Sequence, residues 1–336
     1  MRCVLIGPGA IGGTVAALIT KAGFPLDVVC ENEAYAAKFR EEGFHLRGAR
    51  GEHTVKLNTV AGIENLEGGC DICIISTKAF IMPRLAEQML PKLKPDSLVV
   101  CMQNGICTEL LSAVVGEKRT VSCMIGFGAT MHAQGDVEMT SLGSFAIGMP
   151  DGKSNEKLEY LKQMLGAVLP TEISANIKGE LFSKLIINSC INSLGGLTGE
   201  TLGIMLNDKR ARQLFLAVAR EGIQVARGME IDVPPFNGIL NYNLLLVSKT
   251  KLFDIICETI FRIVGKLKYS GVKVSTLQTL ERGEKTEIDY FNGWMADRGE
   301  EVGVAAPVCR QLTAMIHEIE DGKRKICMGN LYEVKL

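Results

Sequence analysis

Apolar and polar positions along this chain follow two different patterns. In the first, short apolar runs alternate with stretches of helical period. RCVLIG comes first, then an amphipathic stretch from about Ala10 through Ala22, then LDVVC. DICIIS (71–76), SLVVCM (97–102) and TVSCMI (120–125) follow, with helical patterns such as MPRLAEQMLPKL between them. Runs of this length predict strands, and runs apolar throughout predict strands buried on both faces. Strands alternating with helices predict a mostly parallel, doubly wound sheet in an α/β domain. Over 126–148 the pattern changes to short alternating stretches, VEMTS and SFAIG, which predict antiparallel strands added to the sheet edge. A helix over 155–169 and one more strand, TEIS, complete a first domain spanning 1–175.

From there strand signals nearly vanish, and 176–336 reads as an all-α domain. GELFSKLIINSCINSLGGLTG (179–199) predicts a buried helix, with Leu181, Phe182, Leu185, Ile186, Ile187, Ile191 and Leu194 surrounding its axis. Lys184, Asn188 and Asn192 stand four residues apart in it. At about 100° per residue they fall within an arc of roughly 80°, one polar stripe. A buried ammonium is expensive without a partner, so a carboxylate, a ligand or both is expected beside Lys184. The competing reading is a lysine whose head snorkels out to water. DKRARQLFLAVAREGIQVARGM predicts a charged amphipathic helix ended by Gly228 and the Pro234-Pro235 break. Ile239 to Val264 is apolar enough to be weighed as a membrane span. It contains Lys249, Lys251, Asp254, Glu258 and Arg262, and so predicts instead a helix with a wide buried face. Ser275 to Gln278 fits a capping box, and Thr286 to Asp289 fits a second, placing Glu287 in the first turn of a helix. A last helix follows Pro307, with a peripheral tail beyond Gly322.

A length of 336 residues accommodates two domains, and 47% hydrophobic with 22% charged residues is ordinary for a globular protein. Formal net charge is −1 with no basic block, which argues against nucleic-acid or membrane-surface partners. The N-terminus runs directly into a strand, leaving no room for a signal peptide, and the 11 cysteines are odd in number and scattered. Both suggest a reducing, cytoplasmic setting. Cys70 and Cys73 form a CxxC, but a three-residue offset on a strand puts them on opposite faces. His45, His53, His132 and His317 show no ligand spacing, so no metal site is predicted.

Chemistry enters with GPGAIG. Gly7, Gly9 and Gly12 form G-x-G-x-x-G between a strand and a helix, the context of a Rossmann dinucleotide-binding loop. The first glycine permits the turn, the second lets a pyrophosphate approach, and the third lets helix and strand pack closely. The predicted cofactor loop is therefore Gly7, Pro8, Gly9, Ala10, Ile11 and Gly12, with helix N–H groups aimed at phosphate. Glu31 ends the second strand 19 residues past Gly12, where an acid binds the adenosine ribose hydroxyls and repels a 2′-phosphate, favouring NADH. Lys78 in Ser76-Thr77-Lys78 and Asn104 in Gln103-Asn104-Gly105 each follow a strand end, facing a cofactor. A loop lysine and an Asn-Gly turn explain them equally well.

GPGAIG, STKAF, QNG, SKLIINSCIN and STLQTLERGEKTEIDYFNG, in that order, resemble the ketopantoate reductase (2-dehydropantoate 2-reductase) family from Met1 to about Val308. The resemblance implies a Rossmann domain followed by an all-α domain, with the active site in the cleft. It implies that Lys184 is the catalytic lysine and Glu287 an active-site glutamate. Asn104, Asn188, Asn192 and Ser275 would serve the substrate or nicotinamide, and Lys78 the cofactor. The implied reaction is NAD(P)H-dependent reduction of 2-dehydropantoate to (R)-pantoate in pantothenate and coenzyme A biosynthesis, with Lys184 as general acid. An ammonium suits that chemistry, because hydride arriving at a ketone carbon develops negative charge on oxygen that a lysine can stabilise and protonate. Glu287 would either pair with Lys184 or bind a substrate hydroxyl. Glu31 departs from NADPH-specific members, which carry a basic residue there; some relatives with an acid there are NAD-dependent reductases of other 2-oxo acids, forming D-2-hydroxy acids of the mandelate type. The cofactor is thus NADPH by family habit or NADH by Glu31. A non-catalytic dinucleotide-binding protein is the alternative of another class. The segment 239–270 is longer and more apolar than the family needs, which suggests a homodimer interface or an altered substrate roof.

Overall fold

A computed structural model describes residues 1–336 except 237, 239, 248, 249, 269 and 270, and only the backbone of 264–268. The chain divides into two compact units, Met1–Ile177 and Lys178–Leu336.

The first unit carries twelve strands. In order they are β1 (Cys3–Ile6), β2 (Asp27–Cys30), β3 (Phe44–Gly48), β4 (His53–Val55), β5 (Asn58–Ala61) and β6 (Cys70–Ile75). Then come β7 (Leu93–Cys101), β8 (Thr120–Ile125), β9 (Gly128–Ala133), β10 (Asp136–Ser141), β11 (Phe145–Gly148) and β12 (Thr171–Ile173). Its helices are α1 (Ala10–Lys21), α2 (Glu33–Glu41), α3 (Met82–Met89), α4 (Thr108–Val115) and α5 (Glu156–Gly166). Eight strands form the main sheet in the order β12-β11-β8-β7-β6-β1-β2-β5. From β8 across to β5 every neighbouring pair is parallel. The chain winds outward from β1 in both directions, so the order reverses beside β1, where such sheets collect ligands at their carboxyl ends. Leu5, Val28, Ile72, Ile74 and Val100 are almost wholly buried in this sheet, as runs apolar on both faces require.

Two expectations for the sheet divide. SFAIG does join it, as β11 antiparallel to β8, although β12, paired parallel to β11, and not β11 itself, forms the edge. VEMTS does not: β10 pairs with β3 and β9 in a separate sheet of order β4-β3-β10-β9. Val137 and Met139 of β10 are buried in one core with Phe44 and Leu46 of β3. Alternation specifies that a strand has one buried face, not which sheet receives it. β3, β4 and β5 escape the hydropathy pattern because FHLRG, HTV and NTVA interleave polar residues and hold no apolar run.

The second unit is helical: α6 (Ile177–Thr198), α7 (Leu202–Asn207), α8 (Lys209–Gly228), α9 (Leu244–Val247), α10 (Lys251–Lys268), α11 (Ser275–Glu281), α12 (Asn292–Glu301) and α13 (Pro307–Glu320). It is arranged around α6, where Leu185, Ile186, Cys190, Leu194 and Leu197 are fully buried. Glycines allow the close approaches. A Cβ at Gly222 of α8 would lie 2.8 Å from Ile186, and one at Gly195 of α6 would lie 2.4 Å from Val274, just before α11. Phe182 meets Trp294 of α12 edge to face at 5.7 Å. Glu221 of α8, itself buried, accepts the backbone N–H groups of Val308 and Cys309 at 2.8 Å each, capping the buried start of α13. Burial, which outweighs those two hydrogen bonds, raises the Glu221 pKa.

The segment 239–264 is not one buried helix. Ile239 and Lys249 lie outside the described residues; Leu240 to Asn243 form a bridge and turn, and α9 and α10 are separate helices. The orientation of α10 reverses the expectation. Its acidic residues face the protein, where Arg220 of α8 donates to both carboxylate oxygens of Asp254 (2.5 and 3.3 Å) and Arg212 lies 3.8 Å from Glu258. Phe261 stacks on Phe215 at 4.5 Å. Leu252, Ile255, Ile256, Ile260 and Ile263 are left 48 to 68% exposed. Two inward-facing arginines decide which side of this helix turns in. Among the described residues no helix is long and apolar enough to cross a membrane.

Candidate active site

In the first unit the ends of three adjacent strands are level: Ile6 pairs with Ile75, and Ile75 with Cys101. Backbone hydrogen bonds carry this alignment into the loops, Ser76 N–H to Ile6 O (2.9 Å) and Met102 N–H to Ile75 O (3.0 Å). The glycine loop, Ser76-Thr77-Lys78 and Gln103-Asn104 therefore emerge side by side. Glu31, exposed, follows β2 on the other side of β1. Lys78 and Asn104 are both partly exposed, and Asn104 precedes Gly105 at φ +86°.

The three motif glycines answer to different constraints. Gly7 has φ +90°, and a Cβ there would lie 2.5 Å from Thr77 Cγ2. A Cβ at Gly12 would lie 2.2 Å from the Gly7 carbonyl oxygen and 3.0 Å from Ser76. The protein itself requires both. Gly9 is different: its φ of −78° suits any residue, and a Cβ there meets nothing within 4 Å. Nothing inside the chain needs this glycine, whereas a ligand backed against the loop would. Gly9 is also the cap of α1 and has no side-chain acceptor, and the first turn of α1 holds no acid. Asn32, Asn155 and Asp208 do cap α2, α5 and α8. An unblocked helix N-terminus behind a bare backbone fits a dinucleotide pyrophosphate.

One residue of this half escaped the motif reading. Gln103, nearly fully buried, donates from Nε2 to Ile75 O (2.8 Å) and Thr77 O (3.2 Å), and its Oε1 accepts from Cys101 Sγ (3.0 Å). It ties the loop carrying Lys78 to the loop carrying Asn104. A polar residue directly after a buried strand was the available signal.

In the second unit α6 presents the expected stripe. Asn188 and Asn192 are buried and Lys184 is half-buried. Lys184 Nζ lies 5.8 Å from the ring centre of Phe236. Burial, the one cause acting on it, pulls its pKa from 10.5 down to about 8. Among the described residues no carboxylate acts on it; of the two roles expected of Glu287, the structure does not show the one in which it pairs with Lys184. Asn192 Oδ1 accepts from Ser275 Oγ at 3.0 Å. Ser275 is the first residue of α11, and its hydroxyl is spent on Asn192 rather than on a capping box. The contact depends on the Gly195-Gly196 pair, which admits Val274 and Thr276 against α6. The second expected capping box is also absent. Thr286 Oγ1 donates to Glu320, and Glu287, partly exposed, precedes a short 3-10 turn (Ile288–Tyr290) instead of entering an α-helix. A partner distant in sequence takes the hydroxyl in both cases.

Comparison with known proteins bears on both units. The family model described as "Ketopantoate reductase PanE/ApbA" matches residues 3–152, and "Ketopantoate reductase PanE/ApbA C terminal" matches 176–320. The chain belongs to the ketopantoate reductase family. It is thus placed among oxidoreductases acting on CH–OH groups. Relatives named 2-dehydropantoate 2-reductase include one from Archaeoglobus fulgidus, 26% identical over 332 residues (96% of this chain, 98% of the relative). Another, from Pyrococcus abyssi, is 26% identical over 329 residues (96% and 100%). The fold matches a D-mandelate dehydrogenase solved with NADH and anilino(oxo)acetate, with TM-score 0.81, 21% identity and coverage of 96% and 99%. It also matches a ketopantoate reductase of Ralstonia eutropha (TM-score 0.80, 22% identity, 97% and 100%) and a dimeric one of Staphylococcus aureus (0.74, 15%, 96% and 100%).

The contrast between glycines in this ketopantoate reductase family member is testable. Gly9→Ala should leave thermal stability within about 0.5 kcal/mol of wild type yet weaken dinucleotide binding by calorimetry. Gly12→Ala, which meets backbone, should lower stability by roughly 1–3 kcal/mol as well. Equal dinucleotide affinity in Gly9→Ala and wild type would refute the assignment of the loop.

Proposed function

We propose that this protein reduces 2-dehydropantoate to (R)-pantoate with a nicotinamide cofactor, Lys184 being the general acid. The observation that carries the reading is the half-buried ammonium on the Lys184–Asn188–Asn192 stripe, unpaired by any carboxylate among the described residues. When bound, the reduced nicotinamide supplies a hydride to the carbonyl carbon. The oxygen left behind takes a proton from Lys184 Nζ, which becomes a neutral amine and is reprotonated from water. A pKa near 8 suits this role: the group is charged at neutral pH and gives up its proton more readily than an ordinary lysine. Ser275 and Asn192 offer neutral hydrogen bonds to a 2-oxo acid, fixed relative to each other by their own 3.0 Å bond. Glu287, being no partner of the ammonium, is assigned to a substrate hydroxyl. The glycine loop would hold the pyrophosphate, Glu31 the adenosine ribose, and Lys78 and Asn104 the nicotinamide end.

A second reading has a specific basis. Glu31, exposed at the end of β2, favours NADH, and the aromatic face of Phe236 beside Lys184 suits a bulkier or aromatic 2-oxo acid, giving a D-2-hydroxy acid of the mandelate type. Steady-state rates with 2-dehydropantoate, phenylglyoxylate and 2-oxoisocaproate, each with NADH and NADPH, separate the two. Turnover of 2-dehydropantoate no faster than the others would overturn the first reading. Glu31→Arg should raise the NADPH-to-NADH ratio of kcat/KM; an unchanged ratio would remove Glu31 from ribose recognition.

Lys184→Ala should lower kcat by about 10²–10⁴-fold while dinucleotide binding is kept. The pH dependence has a definite sign. Reduction needs the protonated lysine, so kcat/KM should fall as pH rises through about 8, and oxidation of the 2-hydroxy acid should rise through the same range. A reduction rate flat to pH 10 would contradict the assignment. The exposed isoleucine face of α10 supports a homodimer, which light scattering on an Ile256→Asp, Ile260→Asp variant should show converted to monomer. A monomeric wild type at micromolar concentration would refute it.

A further inference from the structure

We propose that Glu320 and His317, near the end of α13, are positioning residues for Glu287 and that their bracket is complete only while His317 keeps its proton. The proposal rests on the role given to Glu287 above. The residues on either side of Glu287 make the contacts that fix it. Glu320 Oε1 accepts both the backbone N–H of Thr286 (2.7 Å) and its hydroxyl (2.6 Å). Thr286 Oγ1 in turn accepts the N–H of Ile288 (3.3 Å). On the far side of Glu287, Asp289 Oδ1 lies 2.8 Å from His317 Nε2, and the Tyr290 N–H closes the turn on the Glu287 carbonyl at 2.9 Å. His317 Nδ1 lies 2.8 Å from Glu320 Oε2, joining the two anchors. The residues flanking Glu287 are therefore gripped by one helix end, with Glu287 between them.

The proton follows from the donors. An ionised carboxylate only accepts, so a ring with a carboxylate oxygen at each nitrogen must donate twice, which only the imidazolium can do. Burial opposes that charge, but the hydrogen bonds to Glu320 and Asp289 outweigh it and raise the His317 pKa above 6.5. Burial likewise opposes the Glu320 carboxylate, and the bonds from Thr286 and His317 outweigh it and hold its pKa low. Asp321, the residue just past the helix, its partner Lys323, and Lys285 on the loop before Thr286 are also among the surrounding charges. The sign is fixed: His317 has its higher pKa in the folded protein, so both of its bonds are present at pH 6.5 and one of them is lost as pH climbs through the folded value. Above that value one ring nitrogen becomes a lone pair facing a carboxylate. The sequence offers little warning, because His317 and Glu320 stand 30 and 33 residues beyond Glu287.

The test is a double-mutant cycle with pH-resolved spectroscopy. Reduction kinetics with NADH are measured for Glu320→Ala, Glu320→Gln, Glu287→Ala and the Glu287→Ala, Glu320→Ala pair, using the 2-oxo acid that wild type turns over fastest. Glu320→Ala should lower kcat about 10–100-fold with the KM for NADH unchanged, the loss expected of a misplaced group. Glu320→Gln, which keeps an acceptor for Thr286, should recover most of it. In the Glu287→Ala background the same Glu320→Ala change should cost less than about threefold, since the two act as one unit. Equal losses in both backgrounds, or a loss of thermal stability alone, would overturn the positioning role. An inactive Glu287→Ala beside a fully active Glu320→Ala would overturn this proposal and leave the reading of Glu287 standing; a fully active Glu287→Ala would overturn both. NMR of His317 in the folded wild type should give a midpoint above 6.5 that drops in Glu320→Gln, and a midpoint at or below 6.5 would overturn the proton dependence.

Discussion

A half-buried ammonium that loses hydration without a carboxylate to neutralise it is the constraint on which the second unit turns. An ordinary surface lysine gains or loses little from its surroundings, but burial draws Lys184 down to a pKa of about 8. The ring of Phe236 lies 5.8 Å away, and a cation–π contact is worth about 0.5–1 kcal/mol when exposed and about 2 kcal/mol when desolvated, less than the hydration given up. The depressed value shows which effect wins. A proton held this loosely is readily transferred, and a group left charged at neutral pH can still meet a developing oxyanion.

Keeping such a group in place requires a rigid support, and α6 supplies one. Most of the helix is buried, and the glycines at its contacts bring α8 and the start of α11 nearer than any side chain would permit. Closeness at Gly195-Gly196 is also what puts Ser275 on Asn192. The first unit uses the same device differently. Gly7 and Gly12 serve the fold, whereas Gly9 leaves bare backbone that the fold has no use for. One six-residue motif thus mixes structural and ligand-facing glycines, and only the space around each tells them apart.

Much of this was legible in the residues. β1, β2, β6, β7 and β8 announce themselves as apolar runs because a sheet covered on both faces needs nothing polar. The Lys184–Asn188–Asn192 stripe is visible because helical period alone places those side chains on one face. What stayed hidden was identity of partners. VEMTS promised a half-buried strand but not that β3 would take it. The isoleucines of 251–263 promised an apolar face, and only Arg212 and Arg220 of another helix show that it points outward. Ser275 and Thr286 both fit a capping pattern, yet Asn192 and Glu320, each distant in sequence, claim their hydroxyls. Gln103 and Glu221 do their work through long-range contacts that no local pattern encodes.

The central claim concerns the proton on one nitrogen, and it is most directly measured by NMR titration of lysine labelled at Cε, with the Lys184 signal assigned by its loss in Lys184→Arg. The account predicts one lysine titrating near pH 8, well apart from the surface lysines above 10. A Lys184 signal that titrates with the surface group would mean a fully hydrated or paired ammonium, and would contradict the account at its root.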